Sequence, residues 1–137
     1  MAIVYLDTSA LVKLVVHEPG SALVGALWDG ADLVVTSRLA DAEVRAALAG
    51  GRRSGRLDDD RGATVEWDRL WPALHVLELG ATVTAAAAVL VDKHPLRAAD
   101  ALHLASALAL RSPDLVVAVW DERLAAAARA EGLQVVP

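Results

Sequence analysis

Four acidic residues lie where apolar stretches give way to helical patterns, and carboxylates in such positions can bind a divalent cation. They are Asp7, Glu43, Asp100 and Asp121. Four negative charges held close together are costly unless a cation neutralises them. Oxygen ligands, in a chain with no cysteine and no adjacent pair of histidines, favour Mg²⁺ or Mn²⁺ over Zn²⁺. We expect the first three acids to converge on one shared point, with Asp121 further out.

A cation held in this way would serve the hydrolysis of a phosphodiester. Mg²⁺ is held by few carboxylates and keeps several water molecules, which leaves room for phosphate oxygens. Such a metal lowers the pKa of a bound water and stabilises charge that develops on a phosphate. Together, the four acids therefore predict metal-dependent phosphodiester hydrolysis.

Each acid also has a plain structural interpretation. Aspartate before a helix is a favoured N-cap, which applies to Asp7 and Asp121. Glu43 would then be a solvated acid paired with a neighbouring arginine. Asp100 is the one acid in the small and apolar stretch RAADALHLASALAL, which favours a specific polar environment. The joint pattern is more specific than any single acid.

The elements that must position these acids alternate along the chain. Predicted strands cover residues 2–6, 32–36, 74–77, 115–119 and 133–136. Apolar spacing of three and four predicts helices over residues 8–16, 20–29, 38–49, 56–71, 81–93, 96–111 and 121–131. The segment GGRRSGR at 50–56 is the clearest predicted loop.

Apolar strands that alternate with helices indicate an α/β fold with a parallel sheet covered on both faces. In such a sheet the site forms beyond the carboxyl ends of the strands. Asp7 follows the first predicted strand directly, and the helix starts that carry the other acids share the same edge. The predicted fold therefore puts the predicted metal-binding acids at the edge of the sheet formed by the carboxyl ends of the strands.

Composition sets the remaining limits. A chain of 137 residues, 55% of them hydrophobic, predicts one folded domain over 1–137. The sequence has no apolar run of the roughly 18 residues that a membrane span needs, and no signal-peptide pattern. We therefore expect a cytoplasmic protein with no membrane partner. The net charge of −5 has the wrong sign for a typical nucleic-acid binder, although a carboxylate metal site would account for part of it.

Four motifs in order along the chain resemble a known family. They are YLDTSALVKL, AEV at 42–44, RAADALHLASAL at 97–108 and WDERL at 120–124. These motifs are similar to those of the PIN domain, in particular of the bacterial VapC-type toxins of type II toxin–antitoxin systems. The resemblance spans essentially the whole chain.

The resemblance implies a three-layer α/β/α sandwich with a mostly parallel sheet of about five strands. It further implies an Mg²⁺- or Mn²⁺-dependent endoribonuclease, a homodimer and inhibition by a cognate VapB-like antitoxin. The catalytic and metal-binding acids of the family carry over onto the four acids named above. The family's hydroxyl after the first acid matches Thr8 or Ser9, which would hold the metal-bound water or the acid itself. Val119 stands where members often have Ser or Thr, which weakens the assignment of Asp121.

Two residues on the predicted helix 96–111 are candidates for supporting roles. His103 lies three residues after Asp100 and so on the same helix face. It would either hydrogen-bond an acid or be a satisfied, partly buried histidine, and the apolar face favours the second interpretation. Arg97 would hold an acid in place or meet a phosphate.

Several other residues are weaker candidates for contact with RNA or antitoxin. Lys13 would contact a phosphate. The basic loop residues Arg52, Arg53 and Arg56 would contact the RNA backbone, or form a solvated turn. Trp67 and Trp71, spaced i, i+4, most often indicate core or interface packing. The resemblance suggests instead an apolar groove for an antitoxin helix, and stacking on a base is a third interpretation.

Two other functions share features with this sequence. A signalling receiver domain also has an acidic Mg²⁺ pocket, but it needs paired acids after the first strand and a lysine after the fifth. Here Asp7 stands alone and LQVVP ends without lysine. A non-catalytic PIN-type module that binds RNA or a partner is kept open by Val119, but acids at all four places argue against it.

Overall fold

Five strands form a single sheet, and every strand is parallel to its neighbours. The computed structural model describes residues 1–137. The strands are β1 (Ile3–Leu6), β2 (Leu33–Ser37), β3 (His75–Leu77), β4 (Leu115–Ala118) and β5 (Gln134–Val136). Their order across the sheet is β3-β2-β1-β4-β5, so β1 is central. All five predicted strands are confirmed, each within one residue at either end.

Seven α-helices connect the strands. They are α1 (Thr8–Val15), α2 (Ser21–Gly30), α3 (Leu39–Arg53), α4 (Gly62–Leu70), α5 (Ala81–Lys93), α6 (Ala98–Ala109) and α7 (Glu122–Ala130). A short 3₁₀ turn, Trp71–Ala73, follows α4. No helix has the length and apolar character that crossing a membrane would require.

The central strand supplies both faces of the sheet with core residues, because successive side chains point to opposite faces. Ile3 and Tyr5 pack with α5, α6 and α7 on one face. Val4 and Leu6 pack with α1, α2, α3 and α4 on the other. The predicted three-layer α/β/α sandwich is confirmed.

The segment 50–56 is mostly helical, so its prediction as a loop is wrong for residues 50–53. α3 continues through Gly50 and Gly51 to Arg53. A Cβ atom on Gly51 would lie 2.6 Å from Cδ1 of Leu57, so this glycine allows close packing and does not end the helix. The predicted helix 56–71 begins later, at Gly62, after a turn that includes Arg61 with φ of 61°.

The all-parallel order brings the carboxyl ends of the strands to one edge of the sheet. Asp7 follows β1 directly and Asp121 lies three residues beyond the end of β4. Glu43 lies early in α3, which begins two residues after β2 ends. Asp100 lies in the first turn of α6. Four separate segments therefore deliver acids to the same edge.

Candidate active site

Asp7 is both a helix cap and a site residue. Its Oδ1 accepts hydrogen bonds from the Ser9 hydroxyl at 2.6 Å and from the Ala10 backbone N–H at 3.0 Å. The second bond caps α1. The residue is only 5% exposed, and Oδ2 has no hydrogen-bond partner in the chain. The N-cap interpretation therefore holds without using the oxygen that a cation would need.

Glu43 is anchored in the same one-sided way. Its Oε1 accepts hydrogen bonds from the Thr8 hydroxyl at 2.6 Å and from Nε2 of His103 at 2.7 Å, while Oε2 has no partner in the chain. It does not pair with a neighbouring arginine, because Arg45 bonds Asp41 and Asp68 instead. Thr8 and Ser9 thus both hold acids in place.

Asp121 and Asp100 complete the set. The Oδ1 atom of Asp121 accepts the Leu124 backbone N–H at 2.8 Å and caps α7, which again leaves Oδ2 without a partner. Glu43, Asp100 and Asp121 line one open cavity of about 600 Å³. Three of the four acids therefore each use one carboxylate oxygen for the fold and leave the other free.

The charges of these acids act on one another. Burial raises the pKa of the Asp7 carboxyl above its ordinary value, against the hydrogen bond from Ser9, and the charge of Asp100 adds to the rise. Burial and then the charge of Asp121 raise the pKa of Asp100. Burial also acts to raise the pKa of Glu43, but the hydrogen bonds from His103 and Thr8 outweigh it and lower that pKa. Repulsion of this kind is relieved by a cation.

The donor set fits Mg²⁺ or Mn²⁺, since hard cations prefer carboxylate oxygens and three of these acids keep one oxygen free. In the structure no three acidic or histidine side chains are close enough together to hold a metal ion between them. The convergence of Asp7, Glu43 and Asp100 on one point stays a prediction.

His103 combines the two interpretations offered for it. It is 3% exposed, and both ring nitrogens have partners, so it is a satisfied buried histidine. One of those partners is Glu43, so it also holds an acid. Arg97 lines the cavity with Glu43 and Asp100, and its guanidinium makes no ion pair or hydrogen bond within the chain. This geometry favours the phosphate role for Arg97.

The weaker basic candidates are not among the residues that line the acidic cavity. Lys13 is largely buried, forms a 3.0 Å ion pair with Glu18 and lies 4.9 Å from the Trp120 ring centroid. That pairing leaves little of its charge for RNA. Arg52 donates to Thr64 at 3.0 Å and, with Arg56, lines a separate cavity of about 300 Å³. Arg53 is exposed at the end of α3.

The prediction that the two tryptophans form an exposed apolar groove for an antitoxin helix is wrong for Trp67. Its side chain is fully buried in the core between the sheet and α1–α4, and Nε1 donates to Asp41 at 2.8 Å. Trp71 is partly buried, with its ring centroid 5.5 Å from that of Trp67. The core-packing interpretation of the pair is therefore correct.

Two residues of the site were not found from the sequence. Tyr5 donates to or accepts from Nδ1 of His103 at 2.7 Å, and a lone hydroxyl in the otherwise apolar strand AIVYL was the available signal. Arg123 lines the acidic cavity, and its place in WDERL, two residues after Asp121, could have indicated it.

Val119 is 2% exposed and packs in the core, so no hydroxyl acts at this position. Ser9 instead accepts the adjacent Trp120 backbone N–H at 3.2 Å.

Comparison with known proteins agrees with the fold. A model of the PIN domain matches residues 4–135. The chain belongs to the PIN-domain family. It is 52% identical to Ribonuclease VapC45 of Mycobacterium tuberculosis (strain CDC 1551 / Oshkosh) over 139 aligned positions, which cover 100% of this chain and 96% of the relative. Within the PIN domains it is therefore a VapC-type ribonuclease toxin.

Solved structures show the same fold at low sequence identity. One is a toxin–antitoxin complex from Klebsiella pneumoniae, with a TM-score of 0.67 and 17% identity over 100% of this chain and 97% of that one. Another is VapC20 of Mycobacterium tuberculosis, a toxin that cleaves the sarcin–ricin loop. It has a TM-score of 0.67 and 21% identity over 95% of both chains.

Proposed function

We propose that this chain is the endoribonuclease toxin of a VapBC-type pair and that it hydrolyses RNA phosphodiester bonds with Mg²⁺ or Mn²⁺. One observation carries the proposal. Glu43 on α3, Asp100 on α6 and Asp121 at the N-cap of α7 line one open cavity, and the charge of Asp100 acts on the buried Asp7. The proposal also treats residues 1–137 as one domain that acts in the cytoplasm, where its RNA substrate is found.

The four acids would hold the metal, which when bound supplies an activated water and neutralises charge on the phosphate. The chain's own groups prepare the site. Ser9 and Ala10 fix Oδ1 of Asp7, and Thr8 and His103 fix Oε1 of Glu43, so each free oxygen faces a defined direction. An acidic cavity repels phosphate, so RNA binding also needs cationic side chains at its rim.

Chelation is the direct test of the metal requirement. Purified protein should cleave RNA in Mg²⁺ or Mn²⁺, lose cleavage completely in EDTA and regain it when either metal is added in excess. RNA that is bound but never cut in any metal would favour the non-catalytic PIN-type module. Cleavage that persists at full rate in EDTA would contradict the proposed chemistry.

Arg97 and Arg123 are proposed to bind the RNA backbone beside the cleaved bond. Both line the acidic cavity and neither guanidinium has an ion-pair partner in the chain. Arg97→Gln and Arg123→Gln should each weaken RNA binding, raise KM more than they lower kcat, and reduce the salt dependence of binding by about one phosphate contact. Arg69→Gln is the matched control, since Arg69 is 76% exposed and pairs with Glu66 on α4. An unchanged salt slope in both cavity variants would refute the role.

A VapB-like antitoxin is proposed to inhibit the enzyme by inserting an arginine among the acids. A guanidinium is always charged and bonds carboxylates bidentately, so it would replace the charge of the cation. The buried Trp67 is not part of its docking surface. If an antitoxin whose arginine is changed to alanine inhibits as well as wild type at every Mg²⁺ concentration, this mechanism is wrong.

Self-association through α5 is proposed for the homodimer. The helix is apolar on nearly all sides, yet Val89 is 65% and Val91 is 42% exposed. A helix of this character is normally covered, and a two-fold dimer covers the same patch on both copies. Light scattering that gives a monomer mass at micromolar concentration would exclude it.

A further inference from the structure

We propose that Tyr5 and His103 are positioning residues that fix the Glu43 carboxylate for metal binding, through a chain of hydrogen bonds from β1 through α6 to α3. The inference rests on the proposed function, in which Glu43 is one of the metal-binding acids. It assigns a task to two residues that do not themselves face the cavity.

The chain of hydrogen bonds is short, and its Tyr5–His103 part is shielded from water. Nδ1 of His103 lies 2.7 Å from the Tyr5 hydroxyl, and Nε2 lies 2.7 Å from Oε1 of Glu43. Tyr5 is fully buried and His103 is 3% exposed. The two rings meet edge to face, with centroids 5.9 Å apart and an interplanar angle of 78°. Packing therefore holds the imidazole in one orientation.

The direction of each hydrogen bond follows from the groups involved. An ionised carboxylate only accepts, so Nε2 of His103 must carry the proton that Glu43 receives. In the neutral imidazole Nδ1 then accepts, and the Tyr5 hydroxyl donates to it. Tyr5 thereby selects the tautomer that can hold Glu43, as the outer partners of metal-binding groups commonly do.

The Thr8 hydroxyl donates to the same Oε1 atom at 2.6 Å and lies 3.2 Å from Nε2 of His103. Two donors on one oxygen restrain the side chain's rotation and leave Oε2 free. The restraint exists before any metal binds. Metal binding therefore costs less conformational entropy of the Glu43 side chain than it would without these two donors.

Manganese affinity of the purified protein without RNA is the decisive measurement. His103→Ala should weaken Mn²⁺ binding, measured by calorimetry or electron paramagnetic resonance, by about 10- to 100-fold. His103→Gln, whose amide can replace the Nε2–H donor, should recover much of that loss. Tyr5→Phe should cause a smaller loss, because Thr8 and the imidazole remain. In nuclear magnetic resonance spectra, the ring nitrogens of His103 should show the Nε2–H tautomer in wild type and a mixture in Tyr5→Phe.

Leu104→Ala is the matched control, because Leu104 is the next residue of α6, is 2% exposed and contacts the same core. It should lower the melting temperature without changing Mn²⁺ affinity in the folded protein. Folded His103→Ala and Tyr5→Phe proteins with wild-type Mn²⁺ affinity, together with an unchanged His103 tautomer in Tyr5→Phe, would overturn the inference. Failure of wild type to bind Mn²⁺ or cut RNA would instead refute the proposed function.

Discussion

Asp7→Asn should abolish RNA cleavage and leave the fold intact. Asparagine is as good an N-cap as aspartate, and its carbonyl oxygen can accept from Ser9 and Ala10 as Oδ1 does now. The free Oδ2 becomes an amide that cannot bind a cation. Loss of an outer partner of a metal ligand already costs 10- to 100-fold, so losing the ligand should exceed about 100-fold. Cleavage assays in excess Mg²⁺ and Mn²⁺ measure this.

The same variant should be at least as stable as the metal-free wild type at neutral pH. The pKa of Asp7 is raised in the folded protein, chiefly by burial. An acid whose pKa is higher in the folded than in the unfolded protein stabilises the fold at pH values below its pKa in the unfolded protein. That contribution is lost as the pH rises through its pKa in the folded protein. Asparagine removes this loss, so the melting temperature at pH 7 should not fall. Asp29→Asn, on the exposed end of α2, should leave both activity and stability unchanged. Wild-type cleavage by Asp7→Asn would exclude a metal role for Asp7.

Trp67→Ala should cost more stability than any substitution in the active site. The side chain is fully buried, and its Nε1–H hydrogen bond satisfies Asp41. Truncating a buried tryptophan costs about 3–5 kcal/mol, a large part of the 5–15 kcal/mol that stabilises a typical domain. Urea denaturation should show the midpoint fall accordingly.

Two companion variants separate the causes of that loss. Trp67→Phe keeps an aromatic ring and removes the hydrogen bond to Asp41, so its cost should be smaller. Trp71→Ala should also cost less, because Trp71 is only partly buried. A free energy of unfolding for Trp67→Ala equal to that of wild type would contradict the packing described here.

The strands and the four acids could be predicted because their signals are local. Strands buried on both faces are apolar at every position, as IVYL in β1 shows, and need no distant partner to be noticed. An acid directly after such a strand is equally visible. Asp100 stands out in the same way, as the one acid in a small and apolar stretch, and the family motifs add the support that Glu43 lacks locally.

The sequence predicts the wrong structure where a residue's pattern fits two different environments. It gives no prediction where a residue's partner is distant in the chain. The sequence around Gly51 predicts a loop, whereas the close approach of Leu57 favours a glycine inside a helix. Trp67 shows the same helical spacing whether its face is buried or exposed. The link between Tyr5 and His103 joins residues 98 positions apart, so no local pattern could show it.

Because β1 is the central strand of an all-parallel sheet, it determines how early during translation the sheet can be completed. Ile3 pairs with Leu115, so the first strand waits 112 residues (115 − 3) for one of its two neighbours. At about 5–20 residues per second, this delay is roughly 6–22 seconds of translation. Asp100 is made late in this interval, and Asp121 only after it. A ribosome that stops before β4 therefore releases a fragment that lacks two of the five strands and Asp121, and we expect such a fragment not to cleave RNA.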